Sequence, residues 1–543
     1  MTQGKVRRFL YFLYRPLGRP NSLSACNPQR MIVTMCRSFL LMNKCEHVFE
    51  VRGWDIERFD PDYVLDMIHR AHQAGMNTIS LSHEIVMNAE EILWDWHRYK
   101  HLRRFCEAAH ELGMVVYLWN HQVNNPPESC IVKASSENER DKLNLDDPAL
   151  WEWLEHRYES VVERVPNFDG IILSLTESQW QVHRDNVVVT RMSQPERMAK
   201  VINAVYAGLA PHGKRLIVRD FLRSPGEMES FRRTLDLVPE DVWVFTKCVP
   251  NDWQYCYPPH PLLGEVAPHK QIMELDVATE MGGSMPFVAP EYYQRQLRLA
   301  RDRGLAGAIA RCDDGFRSNR GLPDEANVYA YSVLLHDPDT DCNRIWSDWC
   351  RMRYGEKGAA VVERVLRRSF DMVTKIRYVL GFWTGSSAPP ISYTDSHLIN
   401  HSTAIWSDDP KYAEIDRLLK ESGPDTIRAA VEEKLEARRI AEQCVEELDR
   451  EKDTLRPDDY VMLRGYYVRS VNQAIVGALW ARAYFALRWY RNTGSAEALE
   501  ETRDALNECC AFVEKARNMP GADPLKLPTF IEQLKEELAR RVC

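Results

Sequence analysis

The chain has 543 residues, which is too long for one ordinary hydrophobic core and indicates two or three domains. Its 45% hydrophobic and 27% charged residues are typical of a soluble globular protein. The net charge of −9 argues against a nucleic-acid or anionic-membrane partner. The 14 cysteines include no C-x-x-C pair, so we expect reduced core thiols, a reducing compartment and a cytoplasmic location.

The first 45 residues differ in character from the rest of the chain. The stretch "KVRRFLYFLYRPLGRP" is basic and then apolar, but Arg15 interrupts it. The stretch "MIVTMCRSFLLM" carries Arg37 and is much shorter than the ~20 apolar residues that a membrane-spanning helix needs. Neither has a signal-peptide cleavage pattern. We expect residues 1–45 to be a leader that is poorly ordered or not native. The true start is then one of three methionines: Met31, Met35 or Met42.

From residue 47 onward, short apolar runs alternate with segments of helical period. Eight of these runs are predicted strands: 47–53, 77–82, 114–120, 170–177, 215–221, 242–248, 271–277 and 307–313. Most are preceded by an amphipathic segment that ends at a glycine or proline, as at Gly75 and Gly113. Eight strand–helix units over roughly 270 residues match a (β/α)8 TIM barrel in count, order and size. We therefore predict an α/β fold with a catalytic barrel over residues 46–340.

A doubly wound sheet is the alternative, but no glycine-rich phosphate turn follows the first strand and the chain has no P-loop. Beyond residue 340, strands give way to long helical segments at 425–453, 457–494 and 496–518. The middle segment is apolar nearly all round, which is typical of the central helix of a bundle. We predict an α-helical C-terminal domain over residues 341–543. It buries the outer surface of the barrel, closes one side of the cleft or forms the face of a homodimer.

Polar and aromatic side chains recur where the predicted strands end. Active sites of such barrels lie at the C-terminal ends of the strands, so these residues are candidates for one site. They are Arg52, Trp54, His83, Glu84, Trp119, Asn120, His121, Glu177, Arg219, Asp220, Lys247, Asp252, Asp276, Glu280, Arg311, Asp313 and Asp314. Each of them alone is more typical of a solvated surface. Their recurrence on every strand favours a functional site.

Two carboxylates across a pocket are the standard equipment for glycoside hydrolysis. One donates a proton to the leaving oxygen and the other activates water, with the carboxyl groups roughly 6.5–9.5 Å apart in an inverting reaction. Glu177 follows an apolar strand, so we expect burial to raise its pKa and make it the acid. Asp252 and Glu280 lie across the predicted barrel and are the candidate base. The candidate sugar-stacking side chains are Trp119, Trp180 and Trp253.

A metal site is less consistent with the sequence. Amidohydrolase-type barrels need His-x-His on the first strand, where this chain offers only His47, and His83 and His121 add too few ligands. No nucleophile elbow supports a Ser-His-Asp arrangement. We expect neither a metal nor an organic cofactor.

Residues 241–300 resemble the catalytic region of the α-glucuronidases of glycoside hydrolase family 67. The likeness comprises a strand with a lysine, a Pro-x-Asp-aromatic-Gln turn, the loop "PHPLLG" and the pattern E-L-x-x-x-x-E, in that order. Residues 144–178 resemble the approach to the family's acid-bearing strand. Residues 324–355 resemble its junction between the barrel and the helical domain. The resemblance therefore extends from about residue 50 to residue 355.

The resemblance implies specific roles for five residues. Glu177 would be the general acid, and Asp252 and Glu280 would activate water in an inverting mechanism. Arg219 and Lys247 would hold the carboxylate of a uronic acid. A cation that faces a carboxylate is what recognition of a uronic acid physically requires.

The chain departs from the family in two places. Leu173 occupies the position, four residues before the acid, at which the family has a further lysine. The first 45 residues are too few for the family's N-terminal β domain. The first departure concerns uronate recognition and the second concerns the frame of the barrel. The chain therefore resembles a divergent relative.

The resemblance predicts an inverting, exo-acting glycoside hydrolase. Its expected substrate is α-linked glucuronic acid, with or without a 4-O-methyl group, on a short oligosaccharide derived from xylan. One alternative is a barrel glycosidase that acts on a neutral or another uronic glycoside, which Leu173 favours. The other alternative is a catalytically inactive sugar-binding protein, against which the presence of all three carboxylates argues. A cytoplasmic enzyme needs an imported, and therefore small, oligosaccharide.

Overall fold

The computed structural model describes residues 48–542, apart from residues 137, 222, 280–284, 315–317, 385–387, 401 and 518–521. The predicted leader and the candidate base Glu280 lie outside the described residues. Residues 45–543 form one compact unit, so the barrel and the helices that follow it belong together. The domain boundaries at residues 45 and 340 stay predictions.

Eight parallel strands close into a barrel, in which each strand pairs with its neighbours in sequence and the last pairs with the first. This topology confirms the predicted TIM barrel and rules out the doubly wound alternative. The strands are β1 (Val51–Ile56), β2 (Thr78–Leu81), β3 (Val115–His121), β4 (Gly170–Ser174), β5 (Arg215–Arg219), β6 (Trp243–Lys247), β7 (Gln271–Asp276) and β8 (Gly307–Arg311). They are largely apolar runs because the outer face packs on helices and the inner face fills the barrel.

Helices surround the barrel. They are α1 (Pro61–Gln73), α2 (Trp96–Glu111), α3 (Pro148–Arg164), α4 (Gln194–Leu209), α5 (Pro225–Leu235) and α6 (Pro290–Asp302). The first five begin directly after an Asp or Ser, the residue types preferred at the N-cap. The connection between β6 and β7, residues 248–270, is fully described and contains no helix. Its prolines, which include Pro258, Pro259 and Pro261, remove the backbone donors that a helix needs.

The chain after the barrel is almost entirely helical, as predicted. The helices are α7 (Glu325–His336), α8 (Cys342–Leu366), α9 (Ser369–Arg377), α10 (Ile391–Asn400), α11 (Pro410–Glu421), α12 (Pro424–Arg450), α13 (Pro457–Thr493), α14 (Ala496–Ala516) and α15 (Leu527–Val542). The middle of α13 is buried among its neighbours, including Trp480 and Tyr484, which confirms its predicted central position. Among the described residues, none of the helices combines the length and apolarity that crossing a membrane requires.

Short strands complete the secondary structure. They are Ile131–Val132, Lys142–Asn144, Val188–Val189, Tyr378–Val379 and Phe382–Trp383. The last two of these strands pair as an antiparallel hairpin. In it, the Tyr378 hydroxyl accepts a hydrogen bond from the backbone N–H of Tyr255 at 3.0 Å. Because Tyr255 lies in the connection between β6 and β7, the helical region supports the loop that also carries Asp252.

The first strand begins four residues later than predicted, and this shift changes which residues reach the barrel mouth. Arg52 lies at the opposite end, where its Nη1 donates to the carbonyl of Phe49 at 2.8 Å. Trp54 faces outward and donates through Nε1 to Ser332 in α7 at 3.2 Å. Both residues were therefore wrongly assigned to the mouth. Asp55 takes their place, and Glu57 follows the strand end.

Candidate functional site

Backbone strain concentrates at the mouth of the barrel. Of the eight described non-glycine residues with positive φ, five lie in loops that directly follow β2, β3, β4, β6 and β7. They are His83, Asn125, Glu177, Asn251 and Thr279. A positive φ is costly for residues with a side chain and persists only where the surroundings impose it. This distribution marks the mouth as the functional end of the barrel.

A chain of ion pairs crosses the mouth. Arg219 on β5 makes two parallel bonds to Glu274 on β7, Nε to Oε2 at 2.7 Å and Nη2 to Oε1 at 2.8 Å. Its remaining nitrogen, Nη1, donates to Glu177 Oε2 at 3.2 Å. Lys247 on β6 lies 3.7 Å from Glu274 Oε1 and forms a second ion pair with Asp252. The network therefore runs Glu177–Arg219–Glu274–Lys247–Asp252.

The centre of this network is buried and its ends are open. Arg219, Lys247 and Glu274 are buried inside the barrel. In contrast, the side chains of Glu177 and Asp252 are 44% and 30% exposed. A ligand in the mouth can therefore reach two carboxylates that lie at the ends of a buried network of two cations and one carboxylate. Such an arrangement suits a reaction that needs two carboxylates on opposite sides of one bond.

The pKa of Glu177 lies below its usual range, so the prediction of a raised pKa is wrong. Burial acts to raise this pKa, but His121 and the positive charge of Arg219 act more strongly in the opposite direction. The nearest approach of His121 is 3.8 Å, between Nε2 and Glu177 Oε2. The sequence placed Glu177 at the end of an apolar strand, but did not show that a cation from the next strand faces it. Glu177 is ionised in the ligand-free protein.

A second polar group lies on the β1–β2 side of the mouth. Glu57 Oε1 is 2.9 Å from Arg311 Nε and 3.1 Å from His83 Nδ1. Asp55 accepts a hydrogen bond from Ser82 at 2.8 Å, and burial raises the pKa of Asp55 to about 7. One ligand atom each from Asp55, Glu57 and His83 lie within 4.8 Å of one another, a spacing that a metal ion could use. The adjacent guanidinium of Arg311 disfavours a cation there, and the absence of a metal stays a prediction.

A pocket at the barrel mouth lies between Arg219 and Glu274 on one side and Asp55, Glu57, His83 and Arg311 on the other. Aromatic side chains form its walls, but cations already cover their faces. Trp119 and Trp253 line it and are only 3% and 6% exposed. Lys247 Nζ lies 3.3 Å from the centre of the Trp253 ring, and Arg219 lies 4.9 Å from that of Trp119. These cation–π contacts occupy the surfaces that the sequence assigned to sugar stacking. A sugar would have to displace a cation to stack there.

Two predicted binding residues lie outside the pocket. Asn120 is fully buried, and its Oδ1 accepts a hydrogen bond from the backbone of Ala89 at 3.0 Å. Since side chains alternate along a strand, Asn120 faces the helices while Trp119 faces the barrel. Glu84 accepts a long bond from the backbone of Phe59 at 3.5 Å and does not line the pocket. Both residues make local contacts in the ligand-free protein, and their role in substrate binding stays a prediction.

The departure at Leu173 has a structural explanation. Ile172 belongs to the apolar cluster inside the barrel, so its neighbour Leu173 faces outward, where it is fully buried under the helices. A lysine at position 173 could not reach the mouth. Ser174 is the residue of this strand end that faces inward. The identity of residue 173 therefore does not decide whether the pocket accepts a uronate.

Sequence reasoning missed three charged residues of the pocket, Asp55, Glu57 and Glu274. The misplaced first strand concealed the first two. Glu274 stands inside the predicted strand "QIMELDV", where an acid within an apolar run was itself a signal, because buried charges need partners. The alternation Ile272, Glu274 and Asp276 places that acid on the inner face.

A larger cavity, of about 320 Å³, opens at the other end of the barrel beside the start of β7 and β8. Its lining includes Glu50, Lys270 and Arg303. Lys270 pairs with Glu50 at 2.8 Å, an exposed ion pair of little energetic weight. This end of a TIM barrel serves stability, so the smaller pocket at the mouth is the candidate active site.

Comparisons with known proteins agree with this geometry. No family model matches the chain. The chain is 24% identical over 247 residues to a probable α-glucuronidase A of Aspergillus flavus, covering 38% of this chain and 28% of that protein. It is 24% identical over 248 residues to the α-glucuronidase A of Aspergillus tubingensis, covering 39% and 28%. The chain thus spans less than a third of the length of these curated relatives.

Among solved structures, the chain is similar to a GH138 enzyme targeting pectin rhamnogalacturonan II. The two share 12% sequence identity with a TM-score of 0.60, over 94% of this chain and 70% of that chain. This likeness shows a shared fold. The sequence similarities confirm the predicted resemblance to α-glucuronidases.

Proposed function

We propose that this protein is a glycoside hydrolase that removes α-linked glucuronic acid from short oligosaccharides with inversion at the anomeric carbon. One observation carries the proposal: two accessible carboxylates, Glu177 and Asp252, stand at opposite ends of a buried ion-pair network in the barrel mouth. The sequence similarity to α-glucuronidases supports the same class of reaction.

In this mechanism Glu177 is the general acid. Its proton passes to the glycosidic oxygen as the bond between that oxygen and the anomeric carbon breaks. Asp252, assisted by Glu280, accepts a proton from water while the water oxygen bonds to the opposite face of the same carbon. The products are free glucuronic acid of inverted configuration and the shortened oligosaccharide. Exchange with solvent restores the proton to Glu177 and removes it from Asp252.

The lowered pKa of Glu177 means that the acid must gain its proton when substrate binds. A substrate carboxylate beside Arg219 would neutralise the charge that keeps Glu177 ionised. A bound sugar would also exclude water from the open side of Glu177, which favours the protonated form. A uronic acid thus supplies both effects, which couples recognition of the substrate carboxylate to activation of the acid.

A specific observation favours a second candidate, a hydrolase of neutral glycosides. Glu274 already occupies two nitrogens of Arg219, and Asp252 already pairs with Lys247. A uronate would compete with these protein carboxylates for each cation. A neutral sugar would need no such exchange, and would leave Glu177 ionised unless desolvation alone raised its pKa.

A release assay separates these candidates. Wild-type protein and the variants Glu177→Gln and Asp252→Asn are incubated with aldouronic oligosaccharides and with a panel of neutral α- and β-glycosides. We expect wild type to release uronic acid and each variant to lose at least about a hundredfold in rate, the scale of a lost general acid or base. Glu107→Gln, an exposed residue of α2, serves as the matched control and should keep full activity. Release from neutral glycosides alone would select the second candidate.

The surroundings of the reaction remain part of the proposal. We infer a cytoplasmic enzyme that receives small oligosaccharides and uses neither a metal nor an organic cofactor. A homodimer formed through the C-terminal helices is the proposed assembly. Sedimentation of the full chain tests the assembly, and activity after dialysis against a chelator tests independence from metals.

A further inference from the structure

His83 is a pocket residue that the proposed mechanism does not use. It follows β2 and lines the pocket together with Glu57, Trp119 and Arg311. Its imidazole packs beside the Trp119 ring, with 5.6 Å between ring centroids and 33° between planes. The side chain is 36% exposed, so a ligand in the mouth can reach it, as it can reach Glu177 and Asp252.

One nitrogen of His83 is committed and the other is available. Nδ1 lies 3.1 Å from Glu57 Oε1 and 2.9 Å from the Ser82 hydroxyl. Nε2 makes no hydrogen bond to the part of the chain that the structure describes. The Ser82 hydroxyl donates its own proton to Asp55 at 2.8 Å, so its oxygen can accept the Nδ1 proton of a neutral ring. Ser82 therefore fixes the tautomer in which Nε2 is an acceptor.

Two further features set the orientation and the charge of the His83 ring. The backbone of His83 has φ of 50°, an unfavourable conformation that turns the side chain into the mouth. Burial and the charge of Arg311 lower the pKa of His83 to about 3, so the ring stays neutral at ordinary pH. An oriented, neutral acceptor in a polar pocket is suited to a hydroxyl group.

We propose that His83 is a specificity-determining residue whose Nε2 accepts a hydrogen bond from one ring hydroxyl of the sugar that is cleaved off. The inference rests on the proposed glycoside hydrolase function. Ser82 is the positioning residue, because its oxygen bonds Nδ1 at 2.9 Å and thereby holds the ring. The ligand class is a pyranose with a free hydroxyl on the side of the ring that faces β1 and β2.

A metal ion is the competing occupant of this corner. Asp55, Glu57 and His83 have suitable donor atoms. However, Nδ1 of His83 is already bonded to the Ser82 hydroxyl, and Arg311 places a positive charge 2.9 Å from Glu57 Oε1. A dication would have to overcome this repulsion, whereas a hydroxyl group would not.

The test compares His83→Phe with wild type. Phenylalanine keeps a ring beside Trp119 and removes both nitrogens. His83→Asn is the second variant, because asparagine tolerates positive φ and reports any cost of the strained backbone. His69→Phe, at an exposed site on α1, is the matched control. Each protein is assayed with the parent glycoside and with monodeoxy analogues that lack one ring hydroxyl.

We expect wild type to prefer the parent over one analogue by about tenfold in kcat/KM, the scale of one neutral hydrogen bond. His83→Phe should lose that preference at this hydroxyl alone, while His69→Phe keeps it. Undiminished discrimination in a folded His83→Phe variant would overturn the inference and leave the hydrolase function intact. Zinc binding by wild type that His83→Phe abolishes would overturn it in favour of a metal site.

Direct binding separates failure of this inference from failure of the proposed function. Free glucuronic acid and glucose are titrated into wild type and His83→Phe, with binding followed by NMR. Weaker binding to the variant supports the inference even where turnover is slow. Equal binding contradicts it. If wild type neither binds these sugars nor hydrolyses any glycoside, the proposed function and this inference fall together.

Discussion

Replacing Glu274 with glutamine should lower the free energy of unfolding more than replacing a charged residue of an exposed ion pair does. In the wild type, two nitrogens of Arg219 donate to the two oxygens of Glu274, at 2.7 and 2.8 Å. The glutamine oxygen can still accept from one of these nitrogens, but the glutamine NH2 group is a donor that faces the other nitrogen, so that hydrogen bond is lost. Removing one partner of a buried ion pair costs about 3–5 kcal/mol. Arg219 keeps Glu177 and Lys247 keeps Asp252, so we expect about 3 kcal/mol, the lower end of that range.

The pH dependence gives this prediction a second signature. The charges of Arg219 and Lys247 outweigh burial and lower the pKa of Glu274. A carboxyl group with a lowered folded-state pKa contributes stability that is present above its unfolded pKa and is lost as pH falls through the folded value. The difference between wild type and Glu274→Gln should therefore be largest near pH 7 and narrow below about pH 4.

Urea unfolding of both proteins at pH 7 and at about pH 3 measures these differences in the free energy of unfolding. Glu229→Gln, which removes the partner of Arg233 in an exposed pair on α5, is the control and should change stability by less than about 1 kcal/mol. A loss of less than about 1 kcal/mol in Glu274→Gln would refute the claim that this buried network holds the mouth together. So would a difference that grows at low pH.

Two further substitutions test the placement of single residues. Asp55 stays protonated in the folded protein up to about pH 7, whereas an unfolded aspartate ionises near pH 3.8, so folding stability from this group falls as pH rises between these values. Asp55→Asn should remove this slope, worth about 3 kcal/mol between pH 5 and pH 8, as measured by urea unfolding at these two pH values. Parallel curves for the two proteins would contradict it. Leu173→Lys should cost several kcal/mol, about 3 or more, without improving uronate hydrolysis, because residue 173 is buried under the helices. A stable variant with faster release of uronic acid would show that residue 173 reaches the pocket.

The barrel could be predicted from the sequence because each of its strands is a short local pattern that recurs at regular intervals along the chain. Each strand is a short apolar run, and most helices between strands begin at an Asp or Ser N-cap. The long helix α13 was predicted at 457–494 and is observed at Pro457–Thr493, since its apolar character changes sharply at both ends. A fold prediction that rests on many repeated elements stays correct when the bounds of one element are wrong by a few residues.

The pocket was harder to predict because it depends on register and on contacts between distant strands. An error of four residues in β1 hid Asp55, and the alternation of β3 turned Asn120 away while Trp119 stayed inside. Residues on different strands also shift each other's pKa values. Burial alone would raise the pKa of Glu177, but His121 and Arg219, from neighbouring strands, lower it. No local pattern in the sequence contains such a pairing.

The central claim is that Glu177 and Asp252 hydrolyse an α-linked uronic acid by direct attack of water. The most direct measurement follows the anomeric proton of the first released sugar by NMR, with wild-type protein and an aldouronic oligosaccharide as substrate. The account predicts that β-glucuronic acid forms first and that Glu177→Gln releases none. Initial formation of the α-anomer, or equal release by the variant, would contradict it.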